Sequence, residues 1–553
     1  MVVSAHVLAS QAGVEILKKG GNAIDAAVAT GFALAVVYPV AGNLGGGGFL
    51  VARFADGTAT TIDYREKAPL AATRDMFLDS TGTFVPERSQ RGYLASGVPG
   101  SPAGLLMAHQ KYGCLPLQVV LAPAIRLAEE GFPLSRDEAN RLNAYRNAFL
   151  RYPGTARYFT KEDPADRYEE GERFVQRDLA QVLKRIRNEG RSGFYRGRTA
   201  DLIVAEMRRG GGLITHEDLL RYQPVERPPV IGMYRGHRVI SMGPPSSGGI
   251  ALIQLLNAVE PYDMREMGYH SSETIHLMGE AMRRVYADRA YWLGDPDYSP
   301  VPIEELTSKD YMRRRMADFD PHRADSSVAI EYGDPFALES SETTHYSVVD
   351  KDGNAVSVTT TINGGYGSHV VVDGAGFFLN NEMDDFSAKP GSPNMFGLVG
   401  AEANAIEPGK RMLSSMTPTI VENPDGDVFM VIGTPGGSTI ITTVFQTILN
   451  VIDYGMNIQQ AVAAPRVHHQ WLPDVLRFER MGLPRDVVRN LEARGWEVEE
   501  GGRWGAADGI IVEHDPTEER VEPSGLERIK GKSTGRILFG GADPRGEDAA
   551  VGY

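Results

Sequence analysis

Two threonines, Thr343 and Thr361, have the side-chain type and the spacing that nucleophilic catalysis requires. They flank a predicted β-hairpin whose turn is the run Asp350–Asn354. A three-residue loop with glycine in the left-handed position pairs Asp350 with Asn354 and places Thr343 opposite Thr361, with both side chains on one face. A four-residue loop would place them on opposite faces, because a slip of one residue turns every side chain over. The hairpin therefore predicts two neighbouring hydroxyls, although a threonine on a strand is more often a β-branched packing residue.

Two further groups of residues could complete a site around these threonines. Gly436 and Gly437 precede a predicted helix, and consecutive glycine N–H groups at a helix N-terminus suit an oxyanion hole as well as a simple cap. A scattered set of charged and polar side chains could together bind a zwitterion, with its carboxylate on Arg and Ser and its ammonium on Glu and Asp. This set is Arg65, Asn363, Glu382, Asp384, Asp385, Ser414 and Ser415. Singly, each of them is more often a solvated or hydrogen-bonding surface residue.

The elements that must position these residues change character along the chain. Helical spacing dominates the first part, up to about Phe319, apart from a predicted strand pair at Phe49–Phe54 and Thr60–Tyr64. The polar run Asp320–Ser341 is predicted to be a linker. Alternating patterns after Thr343 predict the strands Tyr346–Asp350, Ala355–Thr361, Gly376–Asn380, Thr419–Val421 and Val428–Ile432, and helical spacing predicts the helices Ile440–Tyr454, Ile458–Ala464 and Pro484–Ala493. We therefore predict one layered α/β body whose sheets receive strands from both parts of the chain.

Composition excludes several other classes of function. The 553-residue chain is 42% apolar with a net charge of −15, which argues against a nucleic-acid partner and against an anionic membrane surface. The lone cysteine, Cys114, excludes an internal disulfide and a cysteine-based zinc site. The sequence contains no Gly-x-Ser-x-Gly, His-Glu-x-x-His or Walker motif, and the glycines of Gly42–Gly48 precede a strand instead of following one. We interpret that glycine run as close backbone packing and the pair His468-His469 as structural.

The N-terminal residues do not predict a targeting segment. Met1–His6 lacks the basic region, apolar region and cleavage site of a signal peptide. The apolar window Ala23–Ala41 contains Asp25, Thr30 and Pro39 and is better interpreted as a buried core helix than as a membrane span. A cytoplasmic location is therefore not excluded by the sequence.

The longer motifs around these residues resemble those of γ-glutamyltransferases, also called γ-glutamyltranspeptidases. The motifs that carry the resemblance are Gly20–Ala27, Gly42–Phe49, Asp63–Glu66, Pro244–Gly249, Thr343–Asp350, Asn381–Phe386, Leu413–Thr419, Gly433–Ser438 and Ala542–Arg545. They extend over almost the whole chain.

The resemblance implies a fold and a maturation step. The family belongs to the N-terminal-nucleophile hydrolases, so we expect an α+β fold arranged as a four-layer αββα sandwich. It implies self-cleavage between Glu342 and Thr343, giving a large subunit 1–342 and a small subunit 343–553 that form a heterodimer. It also implies a periplasmic or secreted enzyme without cofactor or metal.

The resemblance further implies roles for the residues. Thr343 would be the nucleophile, with its freed α-amine (reference pKa about 7.7–8.0) as the base, Thr361 would orient it, and the N–H groups of Gly436 and Gly437 would stabilise the oxyanion. The expected donor is glutathione or a related γ-glutamyl compound, and the acceptor is water, an amino acid or a peptide. Arg65, Ser414 and Ser415 would bind the donor's α-carboxylate, and Asn363, Glu382 and Asp385 its α-ammonium. Phe396 would belong to a lid loop, Lys389–Gly400.

Two alternatives to this function stay open. A related acylase would act on glutaryl β-lactams or on poly-γ-glutamate. Asp385 argues against the glutaryl group, which lacks an ammonium and would leave this carboxylate unpaired, and the lid loop argues against a polymer. A protein that kept the fold but lost catalysis would not split at Thr343.

Overall fold

Two antiparallel sheets form the centre of the molecule. The computed structural model describes residues 1–163, 165–330, 343–389, 395, 401–514 and 535–553. The seven-stranded sheet has the order β18 (Ala549–Val551), β1 (Val2–Ser4), β9 (Thr344–Val349), β10 (Ala355–Thr361), β2 (Gly47–Arg53), β3 (Ala59–Asp63) and β6 (Val225–Arg227). The six-stranded sheet has the order β17 (Arg536–Gly541), β16 (Asp508–His514), β12 (Val428–Gly433), β11 (Thr419–Glu422), β8 (His237–Ser241) and β7 (Val230–Tyr234). Two small sheets contain β13 (Val467–His468), β14 (Leu476–Glu479) and β15 (Val498–Gly501), and β4 (Phe132–Pro133) and β5 (Arg173–Phe174).

The two large sheets face each other across an apolar layer, and helices cover their other faces. Phe49 and Val51 of β2 pack between the sheets with residues such as Val431 of β12. The alternate residues of the same strands point the other way, Leu50 into a helical core on one side and Met430 into a second core on the other. This period of two is the pattern expected of a strand that is buried on both faces.

The helices fall into two groups that correspond to these outer cores. On the seven-stranded sheet or beside it lie α1 (Val7–Lys18), α2 (Ala23–Val37), α3 (Pro86–Gln90), α4 (Ser101–Tyr112), α5 (Leu117–Val120), α6 (Ala122–Glu130), α7 (Arg136–Phe149), α8 (Pro153–Phe159), α9 (Arg177–Glu189), α10 (Ser192–Tyr195), α11 (Gly197–Gly210) and α12 (His216–Arg221). On the six-stranded side lie α13 (Gly248–Val259), α14 (Met264–Met267), α15 (Ser272–Trp292), α16 (Ile303–Thr307), α17 (Lys309–Arg315), α18 (Thr439–Ile452), α19 (Ile458–Ala463) and α20 (Arg485–Ala493). None of the helices in the described ranges is long and apolar enough to cross a membrane.

The hairpin has the predicted register. Asp350 donates its N–H to the Asn354 carbonyl, Gly353 is left-handed with a φ of +87°, and β9 pairs with β10 from Val349–Ala355 to Thr344–Thr360. Continuing that register by one residue places Thr343 opposite Thr361. The three-residue loop and the shared face are therefore confirmed.

Each large sheet contains strands from both sides of residue 343. In the seven-stranded sheet, β9 lies between β1 and β10, and β10 pairs with β2. In the six-stranded sheet, β11 pairs with β8. The prediction that both parts of the chain contribute to shared sheets is confirmed.

Two predictions about elements were wrong. The stretch predicted to be mostly helical contains β6, β7 and β8 at Val225–Ser241, because these short strands carry too few residues for a clear alternation. Gly376–Asn380 is not a strand, and only isolated bridges pair Phe378 with Val371 and Leu379 with Gly45.

The predicted linker Asp320–Ser341 contains no helix or strand over its described residues 320–330. Within it, Ser327 is buried and bonded to Arg283 and Asp474, while residues 331–341 lie outside the described residues.

Candidate active site

One cavity brings together nearly all the residues that the sequence proposed for chemistry. It encloses about 500 Å³ including its mouth. Its walls contain the predicted residues Thr343, Thr361, Gly437, Arg65, Asn363, Glu382, Asp385, Ser414 and Ser415, together with Arg289, Phe386, Ser387, Asn404, Leu413, Met416 and Ile440. Gly436 lies next to the wall but is not part of it. Both Glu342 and Phe396 lie outside the described residues.

The two threonines are buried at one end of the cavity. Thr343 is 7% exposed and Thr361 3% exposed. The Thr361 hydroxyl accepts the Asn363 N–H at 2.8 Å, and the Thr361 carbonyl accepts the Asn43 side-chain amide at 2.9 Å. A Cβ on Gly46 would lie 2.1 Å from that carbonyl, so the glycine-rich loop has no room for side chains where it supports Thr361. The interpretation of Gly42–Gly48 as close backbone packing is confirmed.

At the other end of the cavity a buried arginine holds two carboxylates. Arg65 follows β3, is fully buried, and donates one Nη to Glu382 Oε1 and the other to Asp385 Oδ2. Its Nε also donates to the Met412 carbonyl at 3.2 Å, and Nη2 donates to the Leu413 carbonyl at 3.1 Å. The guanidinium is therefore fixed in one orientation before any ligand enters.

A third carboxylate, Glu66, lies behind this pair. It is completely buried, lies 3.6 Å from the Arg65 guanidinium, and neither of its side-chain oxygens has a hydrogen-bond partner among the described residues. Burial raises the pKa of Glu66 to about 7, although Arg65 opposes the shift. Burial raises the pKa of Glu382 well above its ordinary value, again against Arg65 and with help from Glu66 and Asp385. Burial thus favours the protonated forms of Glu66 and Glu382, relative to a carboxyl group in water.

The two serines present hydroxyl protons to the cavity. Ser414 Oγ accepts the Met416 N–H at 3.1 Å, and Ser415 Oγ accepts Arg289 Nη2 at 2.8 Å. Neither hydroxyl donates to another residue in the described ranges. Since a hydroxyl has one proton, both O–H groups are left to donate to an anion.

Asn363 is held in a backbone conformation that few side chains adopt. Its φ is +73°, in the left-handed region that asparagine tolerates better than most residues. Its Nδ2 donates to the Asn381 carbonyl at 3.0 Å. The Oδ1 atom is therefore the one available to accept from an ammonium.

The glycine pair adopts the irregular geometry that precedes α18. Gly436 has a φ of +136° and Gly437 of +55°, and their carbonyls accept the N–H groups of Thr439 and Ile440. Neither glycine N–H donates to an acceptor within the described part of the chain. Gly437 shares the cavity wall with Thr343, so its N–H is the nearer candidate for an oxyanion contact.

Asp384 and the pair His468-His469 are buried, and they form hydrogen bonds with neighbouring groups in the described residues. Asp384 accepts from Ser89 Oγ and from the Met395 N–H at 2.6 Å, and burial raises its pKa to about 7. His468 bonds Thr442 and Gln470, and burial lowers its pKa to about 3. No group of three metal-ligating side chains suited to an ion occurs in the described ranges.

Arg289 is a cavity residue that the sequence reasoning missed. It is 3% exposed and lies in the last turn of α15, where the helical pattern alone gives no sign of a ligand contact. Only its three-dimensional proximity to Ser415, 126 residues later in the chain, reveals it.

The chain is similar to known proteins in both sequence and structure. The sequence model described as Gamma-glutamyltranspeptidase matches residues 9–553. A glutathione hydrolase proenzyme of Pseudomonas sp. (strain A14) is 48% identical over 557 residues, covering 100% of this chain and 94% of that protein. The crystal structure of a cephalosporin acylase from Bacillus halodurans has a TM-score of 0.85 at 29% identity and covers 100% of this chain and 95% of its own. A Helicobacter pylori gamma-glutamyltranspeptidase structure has a TM-score of 0.58 at 48% identity, covering 59% of this chain and 94% of its own.

Proposed function

The chain belongs to the γ-glutamyltranspeptidase family, and we propose that it is a self-cleaving γ-glutamyltransferase and glutathione hydrolase with Thr343 as its nucleophile. The observation that carries this function is the cavity itself. It places a pair of threonine hydroxyls beside a set of buried groups that complements both charges of a γ-glutamyl donor.

The first chemical step forms an ester on Thr343. After cleavage, the free α-amine of Thr343 accepts the proton of its own hydroxyl while Oγ attacks the γ-amide carbonyl of the donor. The N–H groups of Gly436 and Gly437 stabilise the tetrahedral oxyanion. As the C–N bond breaks, the ammonium of Thr343 returns a proton to the departing amine, which for glutathione is cysteinylglycine.

The second step transfers the γ-glutamyl group. Water, or the amine of an amino acid or peptide, attacks the ester carbonyl, and the α-amine of Thr343 again accepts the proton. Breaking the ester bond restores the Thr343 hydroxyl and releases glutamate or a new γ-glutamyl compound. Thr361, opposite Thr343 in the hairpin, orients the nucleophile through both steps.

Donor recognition depends on the charged end of the cavity. The α-carboxylate binds Arg65 and the O–H groups of Ser414 and Ser415, while the α-ammonium binds Glu382, Asp385 and Asn363 Oδ1. Because Arg65 is already fixed by the two carboxylates, a zwitterion adds one charge of each sign without leaving any group unpaired. A donor that lacks either charge would make fewer charged hydrogen bonds in the cavity, so we expect it to react more slowly.

The same chemistry supports a maturation step between Glu342 and Thr343. Thr343 Oγ attacks the Glu342 carbonyl, the peptide C–N bond breaks, and the Thr343 nitrogen takes up the hydroxyl proton to become a free α-amine. Water then hydrolyses the ester and restores the Thr343 hydroxyl, which gives a large subunit 1–342 and a small subunit 343–553. The strand pairs β1–β9, β2–β10 and β8–β11 join the two parts, so we expect the subunits to remain a heterodimer. The paired sheets between helical cores support the four-layer αββα arrangement of N-terminal-nucleophile hydrolases.

A purified chain tests both proposals at once. We expect denaturing electrophoresis to show two fragments, with Thr343 as the N-terminal residue of the smaller one. We also expect release of p-nitroaniline from the γ-glutamyl anilide. A chain that stays whole and inactive would contradict the function and favour a non-enzymatic protein.

The acylase alternative has one observation in its favour, the likeness to a cephalosporin acylase structure. Parallel assays with γ-glutamyl and glutaryl anilides separate the two functions. We expect the γ-glutamyl compound to react at least 100-fold faster, since the glutaryl group has no ammonium to donate to Glu382, Asp385 and Asn363 Oδ1. Equal or reversed rates would support the acylase.

The family likeness also supports a place of action outside the cytoplasm. We expect activity in the periplasmic fraction or the medium of cells that express the natural gene. Activity confined to the cytoplasmic fraction would contradict this location.

A further inference from the structure

We propose that Arg289 is a positioning residue for the carboxylate end of the donor, and that it sets the preference for donors with an α-carboxylate. This inference rests on the proposed function, because it assigns a residue to the same cavity. Arg289 comes from α15, far in sequence from the loops that contain the predicted carboxylate ligands, and its side chain is 3% exposed and reaches the cavity wall.

Arg289 orients the Ser415 hydroxyl. Arg289 Nη2 donates to Ser415 Oγ at 2.8 Å. Since a guanidinium has no acceptor atom, the hydroxyl must accept at that contact and direct its proton elsewhere. Ser415 lines the cavity, so the proton is available to a carboxylate there.

Arg289 also supports the loop that carries Ser414 and Ser415. Arg289 Nε donates to Ser247 Oγ at 2.9 Å, and Ser247 donates both its N–H and its O–H to the Ser414 carbonyl, at 2.8 and 2.6 Å. One planar guanidinium therefore fixes Ser415 directly and Ser414 through Ser247. A lysine cannot make both contacts in this fixed geometry.

The two arginines of the cavity differ in the groups that they contact. Arg65 is bound by Glu382 and Asp385, so its positive charge is already balanced before a donor enters. Arg289 donates to two neutral hydroxyls, Ser247 Oγ and Ser415 Oγ, and so polarises the Ser415 hydroxyl. An anion that accepts a hydrogen bond from Ser415 is therefore bound more tightly, because Arg289 polarises the hydroxyl.

The experiment compares two competitive inhibitors of γ-glutamyl anilide hydrolysis. L-glutamate has the α-carboxylate, and 4-aminobutyrate lacks it. In Arg289→Met we expect the preference for L-glutamate over 4-aminobutyrate to fall about 10-fold, with kcat within about 3-fold of wild type. Arg289→Lys should have an intermediate preference, because it keeps the charge and one contact.

Three outcomes decide between positioning and a general structural role. In the Ser415→Ala background, Arg289→Met should reduce the preference much less than it does alone. Arg284→Met is the matched control, because Arg284 is buried on the same helix but is paired with Glu280, Asp318 and Asp325. It should lower the melting temperature and leave the inhibitor preference unchanged. If Arg289→Met weakens both inhibitors equally, or neither, the inference is wrong.

A variant that does not cleave itself is still informative. The rise in melting temperature with L-glutamate, minus that with 4-aminobutyrate, then replaces the inhibition ratio, with uncleaved Thr343→Ala as the reference. A wild-type protein that does not hydrolyse the γ-glutamyl anilide contradicts the proposed function. An active wild-type protein whose Arg289 variants keep the full preference contradicts only the role of Arg289.

Discussion

At the nucleophile end of the cavity, Thr343 and Thr361 lie on the two arms of one hairpin, and their surroundings are hydroxyls and backbone groups. At the donor end, Arg65, Glu382 and Asp385 come from segments more than 300 residues apart and form a buried cluster of charges. Local turn geometry determines the nucleophile end, whereas the donor end forms only when the whole chain has folded.

This difference has an energetic consequence. A hydroxyl at the nucleophile end can be removed without leaving a charge unpaired, so its loss should affect chemistry more than stability. A charge removed from the donor end leaves its buried partners without compensation, and the loss should affect stability and binding together. The following variants test that contrast, in order of decreasing effect.

The largest expected effect is that of Thr343→Ala at the nucleophile end. We expect no self-cleavage and a loss of about 10⁴-fold or more in anilide hydrolysis, because the attacking oxygen is gone. The melting temperature should stay close to that of uncleaved wild type. Thr344→Val is the matched control, since the Thr344 hydroxyl is buried without a partner in the described residues and its replacement leaves the reacting groups in place. Activity that survives in Thr343→Ala would show that another residue is the nucleophile.

Arg65→Met should affect both stability and catalysis. Removing one partner from a buried ion cluster costs about 3–5 kcal/mol, because the remaining carboxylates lose their counter-charge. We expect a clearly lower melting temperature and loss of L-glutamate binding by calorimetry. A variant with normal stability and only weaker binding would show that the donor end tolerates an uncompensated charge, and the contrast with Thr343→Ala would fail.

The sequence predicted the nucleophile end better than the donor end, and the difference between the two ends explains why. The hairpin register could be predicted because Gly353 and its neighbours fix the turn within five residues, and the structure agrees with it. No pattern of spacing connects Arg65 with Glu382, 317 residues later. That grouping came from family resemblance, and Arg289, which no motif singled out, was missed.

The secondary-structure elements that the sequence predicted wrongly were missed for related physical reasons. The three-residue strand β6 and the five-residue strands β7 and β8 depend on pairing with distant partners, and their own sequence shows no clear period. Gly376–Asn380 has the residues of a strand, but its neighbours leave it only isolated bridges. The helices α18, α19 and α20, whose apolar residues recur at helical spacing, were predicted within one or two residues of their observed ends.

Thr361→Val should have a smaller effect, confined to catalysis. Valine keeps the β-branched shape on β10 but removes the hydroxyl that accepts the Asn363 N–H and faces Thr343. We expect kcat to fall about 10-fold, the cost of one lost hydrogen bond near the reacting group. Thr361→Ser should restore most of that rate. A Thr361→Val variant with the wild-type rate, beside a slowed Thr361→Ser variant, would indicate that packing by the methyl group, and not the hydroxyl, supports Thr343.

The smallest effect concerns the pH dependence of stability at the donor end. Burial raises the pKa of Glu66 to about 7, above its unfolded value near 4.5. The folded state therefore binds more protons than the unfolded state between these values, and stability must fall as pH rises from about 4.5 to about 7. Glu66→Gln cannot titrate, so we expect its melting temperature to decline less over that range than that of wild type. Glu304→Gln, on the exposed surface of α16, is the control and should keep the wild-type slope. If Glu66→Gln keeps that slope as well, Glu66 is already ionised in the folded protein, and Arg65 compensates three buried carboxylates without a shared proton.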